Sequence, residues 1–276
     1  MSVATVDGRN VYYELHGTAG DPVVLVHGSF VDHRTWAPIV PGLATALEVV
    51  VYDRSGHGRS PASPRPHPVA DDVRDLAAVL EQSDRYPAHV IGHSYGGAVA
   101  VQLAATRPDL VRSLALHEPP FVGLLGADPA TAPEAERTLA ELAELKALAR
   151  GGHPELAARR FVEAFSSEEG AWERLPAAIR SAYVAGAPQW AEELDDPAAY
   201  APSPAALGDL LLPVLLTTGD ESPALLRRIT EALAGALPFA TVQRIAECGH
   251  APHLTKPDVY LAVLGAFLLE RHVPPT

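Results

Sequence analysis

The stretch "HVIGHSYGGAVAVQLAATRP", His89 to Pro108, holds a short apolar run ending at Gly92 and a run of small and apolar residues from Gly96 onward. One serine, Ser94, stands between them, with a glycine two positions to either side. The first run has the length and composition of a buried strand, and the second carries a helix pattern. A serine at such a strand-to-helix turn is held on a strained backbone. Glycines beside it remove the side chains that would clash with the neighbouring strand and helix. The hydroxyl then projects into open space, next to the N–H groups that open the helix, where negative charge is favoured. Gly92-His93-Ser94-Tyr95-Gly96 therefore reads as an approachable nucleophile on a tight turn.

Other short apolar runs bounded by turn residues surround this one. Pro22–Gly28, Leu47–Ser55, Val111–Pro120, Pro213–Pro223 and Ala240–His250 read as further strands. Residues 2–17 alternate around Asp7-Gly8, which signals a hairpin. Helical patterns lie between the strands at Val69–Gln82, Gly96–Thr106, Pro223–Leu237 and Lys256–Glu270. This alternation predicts an α/β fold with a mostly parallel central sheet flanked by helices. The alternation breaks from Phe121 to Leu210, which is rich in Ala, Glu and Leu. Residues 133–150 and 153–175 read as helices there, and 195–209 as a Pro-rich return loop. The expected organisation is a core of residues 1–120 and 211–276 with a helical cap inserted at 121–210.

The chain has 276 residues, 47% of them hydrophobic, and a formal net charge of −13. That charge disfavours nucleic acid or an anionic membrane as a partner and suits a small neutral or cationic one. The single cysteine, Cys248, allows no intrachain disulfide and reads as buried and inert. Residues 1–17 lack the features of a signal peptide, and no run is long enough for a membrane helix, so the expected location is cytoplasmic. Neither a metal-ligand cluster nor a phosphate or dinucleotide loop is evident, so no metal and no cofactor is expected.

A nucleophilic serine needs a base, and His250, on a loop between the last strand and the final helix, is the candidate. His253 reads as a structural neighbour, and His27 likewise. An oxyanion needs backbone donors. Gly28 lets the chain turn so that the N–H of Ser29 faces the nucleophile, and the N–H of Tyr95 supplies the second donor. Phe30, Trp172, Tyr183 and Trp190 are the candidate apolar walls of a substrate pocket. For the acid that orients the imidazole, two places fit: Glu118 in "LHEPP", and Asp220 or Glu221 in "TTGDESP".

The motifs "VHGSF", "YDRSGHGRSP", "GHSYGG", "TTGDESP" and "CGHAPHLTKP", in this order over most of the chain, resemble the α/β-hydrolase superfamily. The resemblance implies a nucleophile–acid–histidine order, a cap formed by the helical insertion, and a structural role for Asp53 and Arg54. Many members carry the acid three residues after the glycine that ends its strand. Here Gly219 ends that strand and Ser222 stands at that position. Others carry it at the end of the strand after the nucleophile helix, the place of Glu118, which is therefore favoured over Asp220. The resemblance implies a serine hydrolase that cleaves a carboxylic ester, lactone or thioester through an acyl-enzyme. Its substrate would be small to medium and apolar, and the protein a monomer or homodimer. The same superfamily also holds cofactor-free lyases, C–C hydrolases and haloperoxidase-type enzymes, and a non-catalytic binding protein is the reading from another class.

Overall fold

The computed structural model describes residues 2–63, 67–166 and 170–269. In chain order its elements begin with β1 (Ser2–Val6), β2 (Arg9–His16), β3 (Pro22–Val26), α1 (Val40–Leu43), β4 (Glu48–Tyr52) and α2 (Val69–Ser83). Then come β5 (Ala88–His93), α3 (Tyr95–Thr106), β6 (Val111–His117), α4 (Ala132–Arg150), α5 (Pro154–Ala164), α6 (Ala171–Arg174) and α7 (Ala177–Glu193). The chain continues with α8 (Pro204–Gly208), β7 (Val214–Gly219), α9 (Ala224–Ala236), β8 (Ala240–Ile245), α10 (Pro252–Thr255) and α11 (Pro257–Leu269).

Eight strands form one sheet in the order β1-β2-β4-β3-β5-β6-β7-β8. Only β1 with β2 and β2 with β4 are antiparallel. The β1–β2 turn is Asp7-Gly8, both at positive φ (47° and 78°), the two-residue geometry that matches strand twist. Along the parallel strands, alternate residues enter opposite layers. Val24, Val50, Val90, Leu114 and Leu216 pack with residues of α2, α3 and α9. Val23, Val49, Ile91, Ala115 and Leu215 pack with Trp36, Ile39 and residues of α1 and α11. Burial on both faces is why these strands read as continuous apolar runs instead of alternating ones. Strand order reverses around β3, with β4 on one side and β5 on the other. A crevice opens at the carboxyl ends of strands at such a switch point. The loops after β3 and β5 carry Ser29 and Ser94 to it.

The helices α4 to α8 all fall between β6 and β7, but their layout departs from the sequence reading. The predicted helix over 153–175 ends at Ala164, and a short helix restarts at Ala171. Gly170, at φ +67°, adopts a backbone that cannot continue a right-handed helix. Residues 167–169 of that prediction lie outside the described residues. The helix α7 was not foreseen, because Gly186 and Pro188 interrupt its pattern. It forms because Ala187, Trp190 and Ala191 bury against Phe30 and the α4 and α5 residues Leu142, Leu145 and Ala157. The predicted return loop over 195–209 contains α8, with Pro204 in its first turn. The end of the last predicted helix, Glu270, lies outside the described residues. No described helix is long and apolar enough to cross a membrane.

Candidate active site

Ser94 sits at φ +51°, ψ −122° at the junction of β5 and α3. A non-glycine residue there costs about 1–3 kcal/mol, held by its surroundings. A Cβ on Gly92 would lie 2.7 Å from both the Gly96 carbonyl oxygen and the Gly97 Cα, and one on Gly96 would lie 2.2 Å from the Val26 carbonyl oxygen. Any side chain at either position would force the turn open. The Ser94 N–H donates to the His117 carbonyl at 2.9 Å, which ties the turn to the end of β6.

Glu118 follows β6, also at positive φ (45°), and is fully buried. One carboxylate oxygen accepts from the Thr218 hydroxyl (2.5 Å) and the Gly219 N–H (3.1 Å). The other lies 2.7 Å from His250 Nδ1 and 3.5 Å from His117 Nε2. Burial opposes ionisation, but the His117 and His250 imidazoles outweigh it, and the carboxyl is held well below the ordinary carboxylate range. Asp220 is exposed and accepts from the Cys248 N–H at 3.3 Å, which makes it a partner of the turn before His250. The structure thus brings Glu118, not Asp220, to the imidazole.

His93 is the residue through which the turn also holds the histidine loop. Its Nε2 donates to the His250 carbonyl at 2.7 Å, and its ring lies 4.7 Å from those of His250 and His253. His253 packs on Trp36 at 4.6 Å and bonds Thr35 Oγ1 at 2.9 Å. Burial pushes His253 and His57 each down to about 3, and also holds His27, His93 and His117 low. These groups stay neutral when folded and take up protons when unfolded. Stability is therefore lost as pH falls below the unfolded histidine value of ~6.5, by up to about 1.4 kcal/mol per pH unit for each group. Glu118 adds to the loss once pH falls below the unfolded carboxylate range. His67 opposes it: burial lowers that imidazole, but Asp72 and Asp71 prevail and its value is raised. Melting curves are expected to be nearly flat from about pH 7 to 8 and to fall steeply from about pH 6 to 4. Equal Tm at pH 7 and pH 5 would contradict neutral burial of this cluster.

A cavity of about 920 Å³ is lined by Ser29, Phe30, His93, Ser94, Tyr183 and His250 among others. Ser94 and His250 both face it, though no hydrogen bond joins them among the described residues. Such contacts often tighten only with substrate in place. A second chamber of about 40 Å³ shares Ser29, Ser94 and His250, and its remaining walls include Leu142, Trp190, Leu226 and Ile229. Phe30, at φ +65°, stacks on Tyr183 with ring centres 4.8 Å apart and touches Trp190 at 5.2 Å. Trp172 departs from expectation: it is buried and lines neither cavity, although its α6 neighbours Ala171 and Arg174 line the larger one. The N–H groups of Ser29 and Tyr95 have no protein acceptor among the described residues. Tyr95 is the first residue of α3, where an N–H has no partner within the helix.

Two groups place three metal-ligand-type atoms within 4.8 Å of one another: His117 with Glu118 and His250, and Asp32 with His33 and Asp53. In both, the carboxylates already accept protein hydrogen bonds. Asp53 takes His33 N (2.9 Å), His33 Nδ1 (2.7 Å) and Arg59 N (2.8 Å), which fits the structural role expected of it. Glu193, by contrast, went unrecognised in the sequence. It ends α7 and reaches the Ser29 hydroxyl, yet no motif marks it.

Residues 23–263 match the family described as the alpha/beta hydrolase family, and the chain belongs to it. Among curated relatives, it is 37% identical over 116 residues to RutD of Azorhizobium caulinodans, named as a carbamate hydrolase. That alignment covers 42% of this chain and 43% of the relative, so the chain spans less than half of that relative's length. The RutD of Caulobacter vibrioides is 29% identical over 290 residues, covering 97% of this chain and 98% of the relative. A solved alpha/beta hydrolase from Sphaerobacter thermophilus is 26% identical with a TM-score of 0.76, covering 97% of this chain and 99% of its own.

Proposed function

We propose that the protein is a serine hydrolase acting on a carboxylic ester, lactone or thioester through an acyl-enzyme. The observation that carries this reading is the 2.7 Å contact between buried Glu118 and His250 Nδ1, beside a strained Ser94 facing the same cavity. Ser94 Oγ attacks the carbonyl while His250 Nε2 takes its proton. Ionised Glu118 keeps the other imidazole proton on Nδ1 and stabilises the cation that forms. The N–H groups of Ser29 and Tyr95 receive the developing oxyanion. His250 then protonates the leaving group, and later activates the water that frees the acid and restores Ser94.

The two chambers support a division of the substrate. The acyl part, which stays on Ser94, occupies the chamber of about 40 Å³. The leaving group departs through the cavity of about 920 Å³, past Phe30 and Tyr183. Helices α4 to α8 act as a cap, since Phe161 of α5 and Tyr183 and Trp190 of α7 wall the site. Carbamates belong among the substrates to try, given the likeness to RutD, because their carbonyl accepts the same attack.

A series of p-nitrophenyl esters tests the division. Acetate and propionate are expected to exceed octanoate by at least about tenfold in kcat/KM, since surplus methylenes must displace packed apolar walls. A profile that is flat or rises with chain length would place the acyl group elsewhere.

A further inference from the structure

The peptide unit joining Gly28 to Ser29 is held from behind by side chains that the reaction itself does not use. Its carbonyl oxygen accepts from Arg54 Nη2 at 3.2 Å and from His27 Nδ1 at 2.8 Å. The His27 proton is fixed on Nδ1, because Nε2 accepts the Arg54 N–H at 3.0 Å. Across a trans peptide the N–H points away from the carbonyl, so pinning this oxygen turns the Ser29 N–H toward the opposite side. Gly28 itself abuts the nucleophile turn: a Cβ on it would lie 3.0 Å from His93 Nδ1 and 3.2 Å from the Ser94 Cβ.

Arg54 is itself clamped. It is almost fully buried, pairs with Asp72 at 3.2 Å, and donates to Glu193 at 2.5 Å. The second carboxylate oxygen of Glu193 accepts from the Ser29 hydroxyl. The guanidinium also lies over the Tyr95 ring, 4.5 Å from its centre. One buried cation therefore bonds the carbonyl of the Gly28–Ser29 peptide and lies over the Tyr95 ring, and one carboxylate from α7 ties that cation to the Ser29 side chain.

We propose that Arg54 and Glu193 are positioning residues that set and polarise the Gly28–Ser29 peptide as an oxyanion donor. The proposal rests on the serine-hydrolase reading above. A charged donor on a carbonyl draws electron density from the peptide and strengthens its N–H as a donor. The same bond prevents a peptide flip, which would aim a carbonyl lone pair at the oxyanion. The benefit is realised only when negative charge develops, so it belongs to the transition state and not to substrate binding.

The test is kinetics combined with a trifluoromethyl ketone, which Ser94 converts to a tetrahedral oxyanion adduct. Arg54→Gln and Glu193→Gln are expected to lower kcat about 10- to 100-fold, less than outright loss of a donor. KM should stay within about threefold, and the inhibition constant of the ketone should rise by the same factor as kcat falls. Ser29→Ala removes the link to Glu193 without deleting a charge, and is expected to give the same pattern at about 3- to 10-fold. Folded variants with unchanged kcat, or with a change in KM alone, would overturn the proposal. If neither Arg54→Gln nor Glu193→Gln folds, Ser29→Ala decides, and unchanged kcat there overturns it. A wild type that turns over no ester and takes no fluorophosphonate on Ser94 would instead fail the underlying reading.

Discussion

Replacing Ser94 with alanine is expected to lower kcat on a short-chain ester by about 10⁵- to 10⁶-fold, with little change in Tm. The loss is so large because serine and histidine act as one unit, and neither works without the other. The residual rate would come from the oxyanion donors and substrate binding alone. Folding is spared because the Gly92 and Gly96 contacts that shape the turn do not involve the hydroxyl. Ser94→Gly serves as a control. It should also be inactive, yet at least as stable as the wild type, since glycine relieves the cost of φ +51°. Substantial activity in both variants would remove Ser94 from the chemistry.

The second large effect is expected at Glu118. Glu118→Gln keeps the shape of the side chain but presents an amide to His250 Nδ1, which favours the wrong tautomer and leaves the imidazolium without a charge partner. A fall in kcat of about 10³- to 10⁴-fold is expected. Asp220→Asn should change kcat by less than about threefold, because that exposed carboxylate bonds a backbone N–H and not the imidazole. The comparison decides the acid directly. A large loss at Asp220 with little at Glu118 would require the loop after β7 to rearrange before catalysis. The Glu118 effect should also persist at every pH where the wild type is active, because the carboxyl is ionised throughout that range.

The sheet was legible because its strands are buried on both faces and bounded by turn residues, as Val23–Val26 and Leu114–Leu116 illustrate. The turn at Ser94 was legible because two glycines must stand where other chain segments come within van der Waals contact. Glu118 could be suggested from its place after a strand, but its nearness to His250 depends on a pairing 132 residues apart that no local pattern encodes. The helical segment was read less well. There, α7 carries a glycine and a proline inside the helix and is held by contacts with Phe30 and α4, so propensity alone misleads. Trp172 looked like a pocket wall because it is aromatic, but composition does not tell which side of a helix faces a cavity. Glu193 had no signal at all. A buried carboxylate is recognisable only once its partners, Arg54 and Ser29, are seen around it.

The central claim is a covalent intermediate on Ser94. The most direct test is intact and peptide-level mass measurement after rapid mixing with excess p-nitrophenyl acetate or propionate and an acid quench. The predicted result is one acyl group per chain, carried on the peptide that contains Ser94 and absent in Ser94→Ala. Ester turnover with no adduct at any quench time, in an enzyme that also resists a fluorophosphonate, would contradict the account.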